Sequence, residues 1–323
     1  MLIYAGIDEA GYGPMLGPLC VGMTVFAVRD WAPGDPAPDL WERLRPAVAR
    51  SLSDAKARGG VPIADSKRLK LANQSRTRHP LTHLERGVLA MLAARDPGRS
   101  VLADDVSLLD ACESDRPASA WFSGNEISFP VGNDAGVLGI DAAQLAASMQ
   151  RSGVELLGLF VRVLDEGSYN TRLAEAGSKS GLVASVLGDH LSRVGGMVGE
   201  ADSLRVVADR QGARTKYGSL LSRCFDQVEP LEESARASRY AVGGRHRVIL
   251  HSEAEDAHLP VALASMGAKL IRELCMARFN RYWSARMPEL KPTAGYVQDA
   301  RRWLREAAPV LSDKEREALI RNA

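Results

Sequence analysis

The chain has 323 residues, of which 46% are apolar and 25% are charged, a composition typical of a soluble globular protein. Its 41 Lys and Arg against 40 Asp and Glu leave a net charge of +1, so any surface for a polyanion must come from local clustering. The four cysteines form no Cys-x-x-Cys pair, which argues against a zinc site and predicts reduced thiols. The sequence has neither a signal-peptide pattern nor a run of about 18 apolar residues, so we expect a cytoplasmic protein.

The N-terminal part of the chain predicts two paired strands and then an insertion. Residues 2–8 (LIYAGID) and 19–28 (LCVGMTVFAV) are short and rich in β-branched or aromatic side chains, as strands are. Only a Gly-Pro segment joins them, so we expect an antiparallel pair. Residues 30–62 carry several prolines and one short helix candidate near WERLRPAVA, which predicts an insertion.

The middle of the chain is less regular. In ADSKRL (64–69), Asp65 or Ser66 offers an N-terminal cap to a short helix, and residues 81–94 have helical periodicity. Residues 96–150 are acidic at first and later rich in Gly, Asn and Pro. We expect a second insertion or a small subdomain there.

From residue 154 onward, strands and helices alternate. The pattern predicts strands at 154–165, 204–209 and 245–253, and helices at 179–194, 217–225, 259–283, 294–307 and 312–322. An antiparallel pair followed by alternating strands and helices is typical of a mixed β-sheet flanked by helices, which is an α/β domain. We therefore expect one domain over residues 1–323, with insertions at 30–62 and 96–150 and a helical extension at 288–323.

The segment GIDEAGYGPMLGP (6–18) places two adjacent acids, Asp8 and Glu9, between an apolar strand and a glycine turn. Such a turn lets another molecule approach the backbone closely. A dinucleotide-binding interpretation fails, because the next segment is a strand and leaves no room for the helix of a Rossmann unit. Adjacent residues of a regular strand face opposite ways, so a site that uses both acids predicts a bend or bulge near Ala10 and Gly11.

Two further acids, Asp209 at the end of LRVVAD and Glu273 in ASMGAKLIRE, lie where later elements could converge on this pair. Carboxylates about 4 Å apart repel by roughly 4 kcal/mol at an effective dielectric of about 20, so a four-acid cluster needs cations. Oxygen ligands suit Mg²⁺ or Mn²⁺, and two such ions can promote hydrolysis of a phosphodiester. Glu255 and Asp256 compete for the fourth position, and Lys269 offers Glu273 an ion pair instead.

Basic residues suggest where a nucleic acid could bind. RQGARTKY (210–217) follows the third acid directly, and its Arg210 and Lys216 are expected to contact a duplex. RASRYAVGGRHR (236–247) is either a mobile basic loop or an exposed hairpin. Lys67, at the start of a predicted helix, either contacts phosphate or faces solvent.

Four segments of the chain carry motifs in the order of a known family. They are GIDEAGYGPMLGP, IADSKRL (63–69), ALASMGAKLIRE (262–273) and AGY (294–296). They resemble, in turn, the GIDEAGRGP…GP signature, the DSKKL segment, the AAASIxAKVxRD helix and the HKGY segment of ribonuclease HII. Together they are more specific than any one alone, and they leave the two predicted insertions unmatched.

The resemblance implies a ribonuclease H-like fold that hydrolyses RNA in an RNA–DNA hybrid, or ribonucleotides within duplex DNA, with two metal ions, Mg²⁺ or Mn²⁺. The products would carry 5′-phosphate and 3′-hydroxyl ends. Nucleic acid is then the expected partner, and we expect a monomer that does not bind membranes. Position by position, the resemblance assigns metal binding and catalysis to Asp8, Glu9, Asp209 and Glu273. It assigns substrate contacts to Gly11, Tyr12, Gly13, Ser66, Lys67 and Tyr296.

Two of these positions differ from the family pattern. In that pattern the backbone of the glycine turn contacts the ribose 2′-hydroxyl, and Tyr12 stands where the turn has arginine. Glu273 stands where the family usually has aspartate. Two alternatives therefore stay open: a different nuclease on the same fold, and a nucleic-acid-binding protein without activity. DEDD-type exonucleases begin with Asp-x-Glu, so the adjacent Asp8 and Glu9 argue against that type of nuclease.

Overall fold

A computed structural model of the protein describes residues 1–96, 102–212 and 214–322, so residues 97–101 of the second predicted insertion lie outside it. The strands in these ranges are numbered in chain order. They are β1 (Leu2–Ala10), β2 (Leu19–Val28), β3 (Val48–Ala49), β4 (Val61–Pro62), β5 (Val154–Leu164), β6 (Ser203–Asp209), β7 (Glu229–Glu233), β8 (Ala237–Val242) and β9 (His246–His251).

The helices vary from one turn to 28 residues, and two further turns, Ala120–Phe122 and Ala308–Val310, are 3₁₀. The α-helices are α1 (Leu40–Arg43), α2 (Leu52–Arg58), α3 (Ser66–Leu69), α4 (Thr82–Arg95), α5 (Asp105–Ala111), α6 (Ala135–Ser152), α7 (Glu166–Ala176), α8 (Lys179–Gly195), α9 (Gly218–Leu221), α10 (Ala254–Ala257), α11 (Leu259–Arg286), α12 (Val297–Glu306) and α13 (Asp313–Leu319). Within the described residues, no helix is long and apolar enough to cross a membrane.

Seven strands form one mixed sheet in the order β5-β2-β1-β6-β9-β8-β7. The β1–β6 and β6–β9 pairs are parallel, and the other pairs in this sheet are antiparallel. The short β3 and β4 form a separate parallel pair. Helices flank the large sheet, which confirms the predicted α/β class with a mixed sheet.

The alternating side chains of β1 belong to two apolar cores, one on each face of the sheet. Leu2 and Tyr4 belong to the core that contains α4, α6 and α11, whereas Ile3, Ala5 and Ile7 belong to the core that contains α8. This alternation follows from the two-residue period of a strand. Each face of β1 is therefore covered, and the strand's carboxyl end carries the acids.

Helix α11 packs directly on the backbone of β1 and β2. A Cβ atom at Gly6 would lie 2.2 Å from the backbone carbon of Pro260, and one at Gly22 would lie 2.4 Å from the Ala264 oxygen. These two glycines therefore allow the helix to approach the sheet more closely than any side chain would. The contact fixes α11 relative to the end of β1.

The strongly patterned elements were predicted closely. The observed β1, β2, β5, β6 and β9 overlap the predicted strands, and the β1–β2 pair is antiparallel as expected. Asp65, not Ser66, caps α3, because its carboxylate accepts a hydrogen bond from the Lys67 N–H. The long helix begins at Leu259 as predicted.

Several short or irregular elements differ from the prediction. The helix expected over 217–225 is a single turn, α9. Of the two alternatives for residues 236–247, the hairpin is confirmed as β8–β9, with Gly243 and Gly244 at its turn, both with positive φ, but β8 is mostly buried rather than exposed. The irregular stretch 96–150 contains the 18-residue α6, whose Leu138 and Leu145 are buried in the core shared with α11.

Candidate active site

Two of the predicted acids lie side by side at one end of the sheet. β1 and β6 are parallel, and their register, with Ile7 opposite Ala208, brings Asp8 next to Asp209. Both acids therefore lie at the carboxyl ends of neighbouring strands, which are about 4.8 Å apart. The sheet topology accounts for the approach of residues that are far apart in the sequence.

Asp8 and Glu9 leave opposite faces of the sheet. The pairing of β1 with β2 runs without a register shift as far as Ala10 opposite Cys20, and the chain turns only at Gly11, where φ is +94°. The bend or bulge predicted for the strand end therefore follows the strand and does not reorient Glu9. The Glu9 N–H donates to Asp8 Oδ1 at 2.8 Å, which orients the Asp8 carboxylate.

Asp8 is buried against α11. Burial, and then the negative charges of Glu9, Asp209 and Glu255, raise the pKa of Asp8 well above its usual value, and a hydrogen bond with Ser265 opposes the rise. Ser265 lies on the first half of α11. The deepest carboxylate of the site is thus oriented by a helix hydroxyl that the motif comparison did not single out.

The pKa of Glu9, which leaves the opposite face of β1, is raised by the same neighbouring acids that act on Asp8. Burial and the charge of Asp209 raise the pKa of Glu9 to about 7, with a further increase from Glu255 and an opposing effect of Lys67. A carboxyl group with so high a pKa is destabilised as an anion, which a bound cation would reverse. Although they leave opposite faces, Asp8 and Glu9 therefore belong to one charge cluster.

Glu255 is the fourth member of this cluster. It lies on α10, directly after Ala254, whose N–H points to Asp209 Oδ1 at 3.4 Å. Burial, Asp209 and Asp65 raise the pKa of Glu255. Within the described part of the chain, its buried Oε2 atom has no hydrogen-bond partner. An unpartnered buried carboxylate oxygen is costly, and a cation would satisfy it.

Glu273 is held elsewhere. Its carboxylate lies 2.9 Å from Lys269 Nζ, 3.6 Å from Lys70 Nζ and 3.7 Å from Arg272 Nη1. Glu273 is two turns beyond Ser265 on α11, about 12 Å along the helix axis. The structure therefore does not bring Glu273 to the other acids. Three cations surround its carboxylate instead.

Both positions were predicted only as alternatives: Glu255 competed for the fourth acid, and Lys269 offered Glu273 an ion pair. Lys269 precedes Glu273 by four residues, a spacing that places the two side chains on one face of a helix. Glu255 belongs to the acid-rich segment before α11 and follows a strand that is parallel to β6. Asp256, the other competitor, pairs instead with the guanidinium of Arg68 at 3.0 Å.

Lys67 supplies a positive charge beside the cluster. Partial burial lowers the pKa of Lys67, but Asp65, Glu255, Asp8 and Asp209 together outweigh this effect, and the pKa is raised. The Lys67 side chain is exposed, whereas Ser66 is buried and its hydroxyl lies 3.0 Å from that of Ser265. Ser66 therefore supports the site from within, and Lys67 is the residue of this pair that a substrate could reach.

The glycine turn, which follows Asp8 and Glu9 along the chain, is joined to the later tyrosine loop. The N–H groups of Met15 and Leu16 donate to the Gly295 carbonyl at 2.8 and 3.1 Å, which joins the two loops. Tyr12 and Tyr296 are 44% and 51% exposed, large values for aromatic side chains. A Cβ atom at Gly13 would meet no heavy atom within 4 Å, so the turn is open there.

The basic residues after Asp209 differ in their freedom. The Arg210 side chain is held by hydrogen bonds within the protein. Its Nε donates to the Arg214 carbonyl at 2.9 Å, and its Nη1 donates to the Ala235 carbonyl. Lys216 is exposed. Of the two cations predicted to contact a duplex, Lys216 is therefore the more accessible.

The chemistry of the cluster fits a hard divalent cation, although its arrangement is not that of a formed coordination shell. Its candidate ligands are all carboxylate oxygens, which Mg²⁺ and Mn²⁺ prefer. Among the described residues, no three His, Cys, Asp or Glu side chains are arranged to hold one metal ion.

Comparisons with known proteins give distant structural likenesses. No protein-family model matches the chain, and no curated protein matches its sequence. The Archaeoglobus fulgidus RNase HII in a PCNA:RNase HII complex is 15% identical, with a TM-score of 0.42 over 99% of this chain and 93% of that one. The ribonuclease H2 of Pyrococcus horikoshii OT3 is 14% identical, with a TM-score of 0.41 over 98% and 96%.

A third solved structure, Bst-RNase HIII in complex with Mn²⁺, is 16% identical, with a TM-score of 0.40 over 98% of this chain and 64% of that one. Overlaps of this size and identity leave the family open. The residues of the site therefore carry the functional interpretation.

Proposed function

We propose that this protein is a divalent-metal-dependent endoribonuclease that hydrolyses RNA within RNA–DNA hybrids or ribonucleotides within duplex DNA. The observation that carries the proposal is a charge cluster formed by Asp8 and Glu9 near the end of β1, Asp209 at the end of the parallel β6, and Glu255 on α10. Each of the four has a raised pKa, and burial is the largest cause in each case. Such a cluster is costly unless cations bind to it.

The proposed ligands of Mg²⁺ or Mn²⁺ are these four carboxylates, with Glu255 in place of Glu273. When bound, the ions would supply an activated water and stabilise the leaving oxygen of a phosphodiester. The chain's own contribution is to hold the carboxylates: Ser265 orients Asp8, and the N–H of Ala254 approaches Asp209. Preorganised charges of this kind are usually the largest contribution to catalysis.

The adjoining surface supports a nucleic acid as the substrate. Tyr12 and Tyr296 are exposed on the two joined loops, where each could pack against a sugar or a base. Lys67 and Lys216 are exposed cations that could contact phosphates. The backbone of Gly11 and its neighbours in the turn would test for the ribose 2′-hydroxyl, which distinguishes RNA from DNA.

One observation favours a second candidate, a nucleic-acid-binding protein without hydrolytic activity. Asp8 and Glu9 face opposite sides of a regular strand, and among the described residues no three acids are arranged to hold one metal ion. If substrate and metal do not draw the carboxylates together, the chain would bind duplexes and leave them intact. This alternative predicts binding without turnover.

A panel of duplexes separates these functions. The protein and its Asp8→Asn variant are incubated with duplexes that carry one ribonucleotide, a ribonucleotide stretch or none, with Mg²⁺ or Mn²⁺. We expect cleavage only where ribonucleotides are present, 3′-hydroxyl and 5′-phosphate product ends, and loss of cleavage in Asp8→Asn. Binding of the duplexes without cleavage under any of these conditions would establish the second candidate instead.

A further inference from the structure

A buried arginine far from the acids in sequence lies beneath the glycine turn. Arg321 is 4% exposed. Its Nη1 donates to the Gly11 carbonyl at 2.7 Å and to the Gly17 carbonyl at 3.4 Å, and its Nη2 donates to the Tyr12 carbonyl at 3.2 Å. One guanidinium thus binds three carbonyls of a single loop.

The chain on either side of Arg321 is anchored as well. The Arg321 N–H donates to the Met15 carbonyl at 2.9 Å. Asn170 on α7 donates from Nδ2 to the Ile320 carbonyl and accepts from the Asn322 N–H, each at 2.8 Å. The guanidinium carbon lies 4.0 Å from the centre of the Tyr169 ring. These contacts hold both the backbone and the side chain of Arg321 in place.

Burial of this cation is costly, so its placement calls for a reason. Its hydrogen bonds from both Nη atoms go to neutral carbonyls, and in the described ranges its Nε has no partner. The Tyr169 side chain and the nearby charge of Glu166 also favour the cation, but burial outweighs them and lowers the pKa of Arg321, so its desolvation is repaid only in part. What the arrangement does achieve is to draw the carbonyls of Gly11, Tyr12 and Gly17 inward.

The consequence appears on the outer side of the turn. Gly11 adopts φ +94°, Tyr12 projects into solvent and Gly13 faces open space. A turn without an inner brace would have freedom to rotate these peptide groups. With its carbonyls fixed below, the turn presents a single backbone geometry to whatever approaches from outside.

We propose that Arg321 is a positioning residue for sugar recognition, acting through the backbone of Gly11 and Tyr12. It does not touch the substrate. It holds the turn in the geometry that aligns a ribonucleotide with the carboxylates. This inference rests on the proposed function, because it assigns the turn the task of reading the sugar.

The test compares Arg321→Met, which keeps the length of the side chain, with Arg321→Lys, which restores a charge and part of the hydrogen bonding. Met149→Ala in α6 is the matched control, since Met149 is buried in the core. Amide hydrogen exchange over residues 11–17 is measured first, below the unfolding temperature of each variant. We expect faster exchange in Arg321→Met, a smaller increase in Arg321→Lys and none in Met149→Ala.

Steady-state cleavage of a duplex with one ribonucleotide is the second measurement. A misplaced substrate-aligning group costs about 10- to 100-fold in rate, so kcat of Arg321→Met should fall by that factor while KM changes little. Arg321→Lys should recover part of the loss, and Met149→Ala should retain kcat. If Arg321→Met fails to fold, Asn170→Ala loosens the same segment with the guanidinium intact, and the same two effects are expected at smaller size.

The outcomes distinguish this inference from the proposed function. If the unmodified protein cleaves no duplex, the proposed function fails, whereas the hydrogen-exchange comparison still tests whether Arg321 fixes the turn. If the unmodified protein cleaves and Arg321→Met retains its kcat, the positioning role is wrong. Equal losses of kcat in Arg321→Met and Met149→Ala would also overturn it, because they would reflect stability alone.

Discussion

Neutralising Glu255 and Glu273 in turn should give opposite results, because one lies among acids and the other among bases. The perturbations are Glu255→Gln and Glu273→Gln, which keep the shape of each side chain and remove its charge. Glu255 is 8% exposed beside Asp8, Glu9 and Asp209, whereas the Glu273 side chain is 14% exposed against Lys269 and other cations. The two variants therefore test whether the charges around each carboxylate are mainly negative or mainly positive.

The magnitudes follow from the surroundings of each group. Two like charges about 7 Å apart repel by roughly 2 kcal/mol at an effective dielectric of about 20, so Glu255→Gln should stabilise the metal-free protein by about 1–2 kcal/mol. Glu273→Gln leaves Lys269, Lys70 and Arg272 without their shared anion. Loss of one partner from a largely buried ion-pair network should cost about 2 kcal/mol, below the 3–5 kcal/mol of fully buried pairs.

The assays are urea unfolding without metal and steady-state cleavage of a ribonucleotide-containing duplex with Mn²⁺. Glu255→Gln should unfold at higher urea and lose most of its kcat, whereas Glu273→Gln should unfold at lower urea and retain its kcat. Full activity in Glu255→Gln together with inactivity in Glu273→Gln would refute the choice of fourth carboxylate. A destabilised Glu255→Gln without metal would refute the claim that the cluster is repulsive.

Glu166, Gly11 and Tyr296 each allow a further test. The pKa of Glu166 is raised from 4.5 to about 7 by burial, so its contribution to stability is complete below pH 4.5 and is lost as the pH rises through 7. Relative to the unmodified protein, Glu166→Gln should flatten the fall in the free energy of unfolding over this range, by at most about 3 kcal/mol, and an unchanged slope would contradict this. Gly11→Ala forces a side chain onto φ +94° with its Cβ 2.5 Å from Arg272 Nε, and should lower the free energy of unfolding by about 2–3 kcal/mol. Gly13→Ala, at an open position, is its control for urea unfolding, and equal losses would show that the turn is not strained. Tyr296→Ala should raise KM for the duplex by about tenfold, since stacking on one base is worth about 1–3 kcal/mol, and an unchanged KM would remove this residue from the substrate surface.

The regular parts of the fold were predictable from local patterns. The strands β1, β2 and β6 have continuous apolar or β-branched sequences, and the long α11 begins just before a proline at its first turn. Local propensity and tertiary packing agree in these elements. Their order was sufficient to predict a mixed sheet with helices on its faces.

Short and irregular elements could not be predicted, because tertiary contacts decide them. The helical pattern of residues 217–225 yields one turn, α9, which packs where Tyr217 and Tyr240 are buried. α6 has two glycines among its first five residues, which weaken the helical signal, and its buried Leu138 and Leu145 depend on contact with the core that includes α11. Neither contact is visible in a window of a few residues.

The candidate site divides in the same way. Asp8 and Asp209 were predictable because each ends a predicted strand, and parallel strands bring their carboxyl ends together. Glu255 lies on α10, a one-turn helix that no sequence pattern predicts. Glu273 lies in a segment that resembles the family motif, but the cations around it in the folded chain hold it in ion pairs. Arg321 lies in an unremarkable segment, and only its hydrogen bonds to the glycine turn reveal it.

Binding of Mn²⁺ in the absence of substrate tests the central claim most directly. Free Mn²⁺ is measured by electron paramagnetic resonance during titration of the unmodified protein and of Asp8→Asn, Glu255→Gln and Glu273→Gln. We expect saturable binding to the unmodified protein, weakened binding to Asp8→Asn and Glu255→Gln, and unchanged binding to Glu273→Gln. Equal binding by all four proteins, or no binding by the unmodified protein, would contradict it.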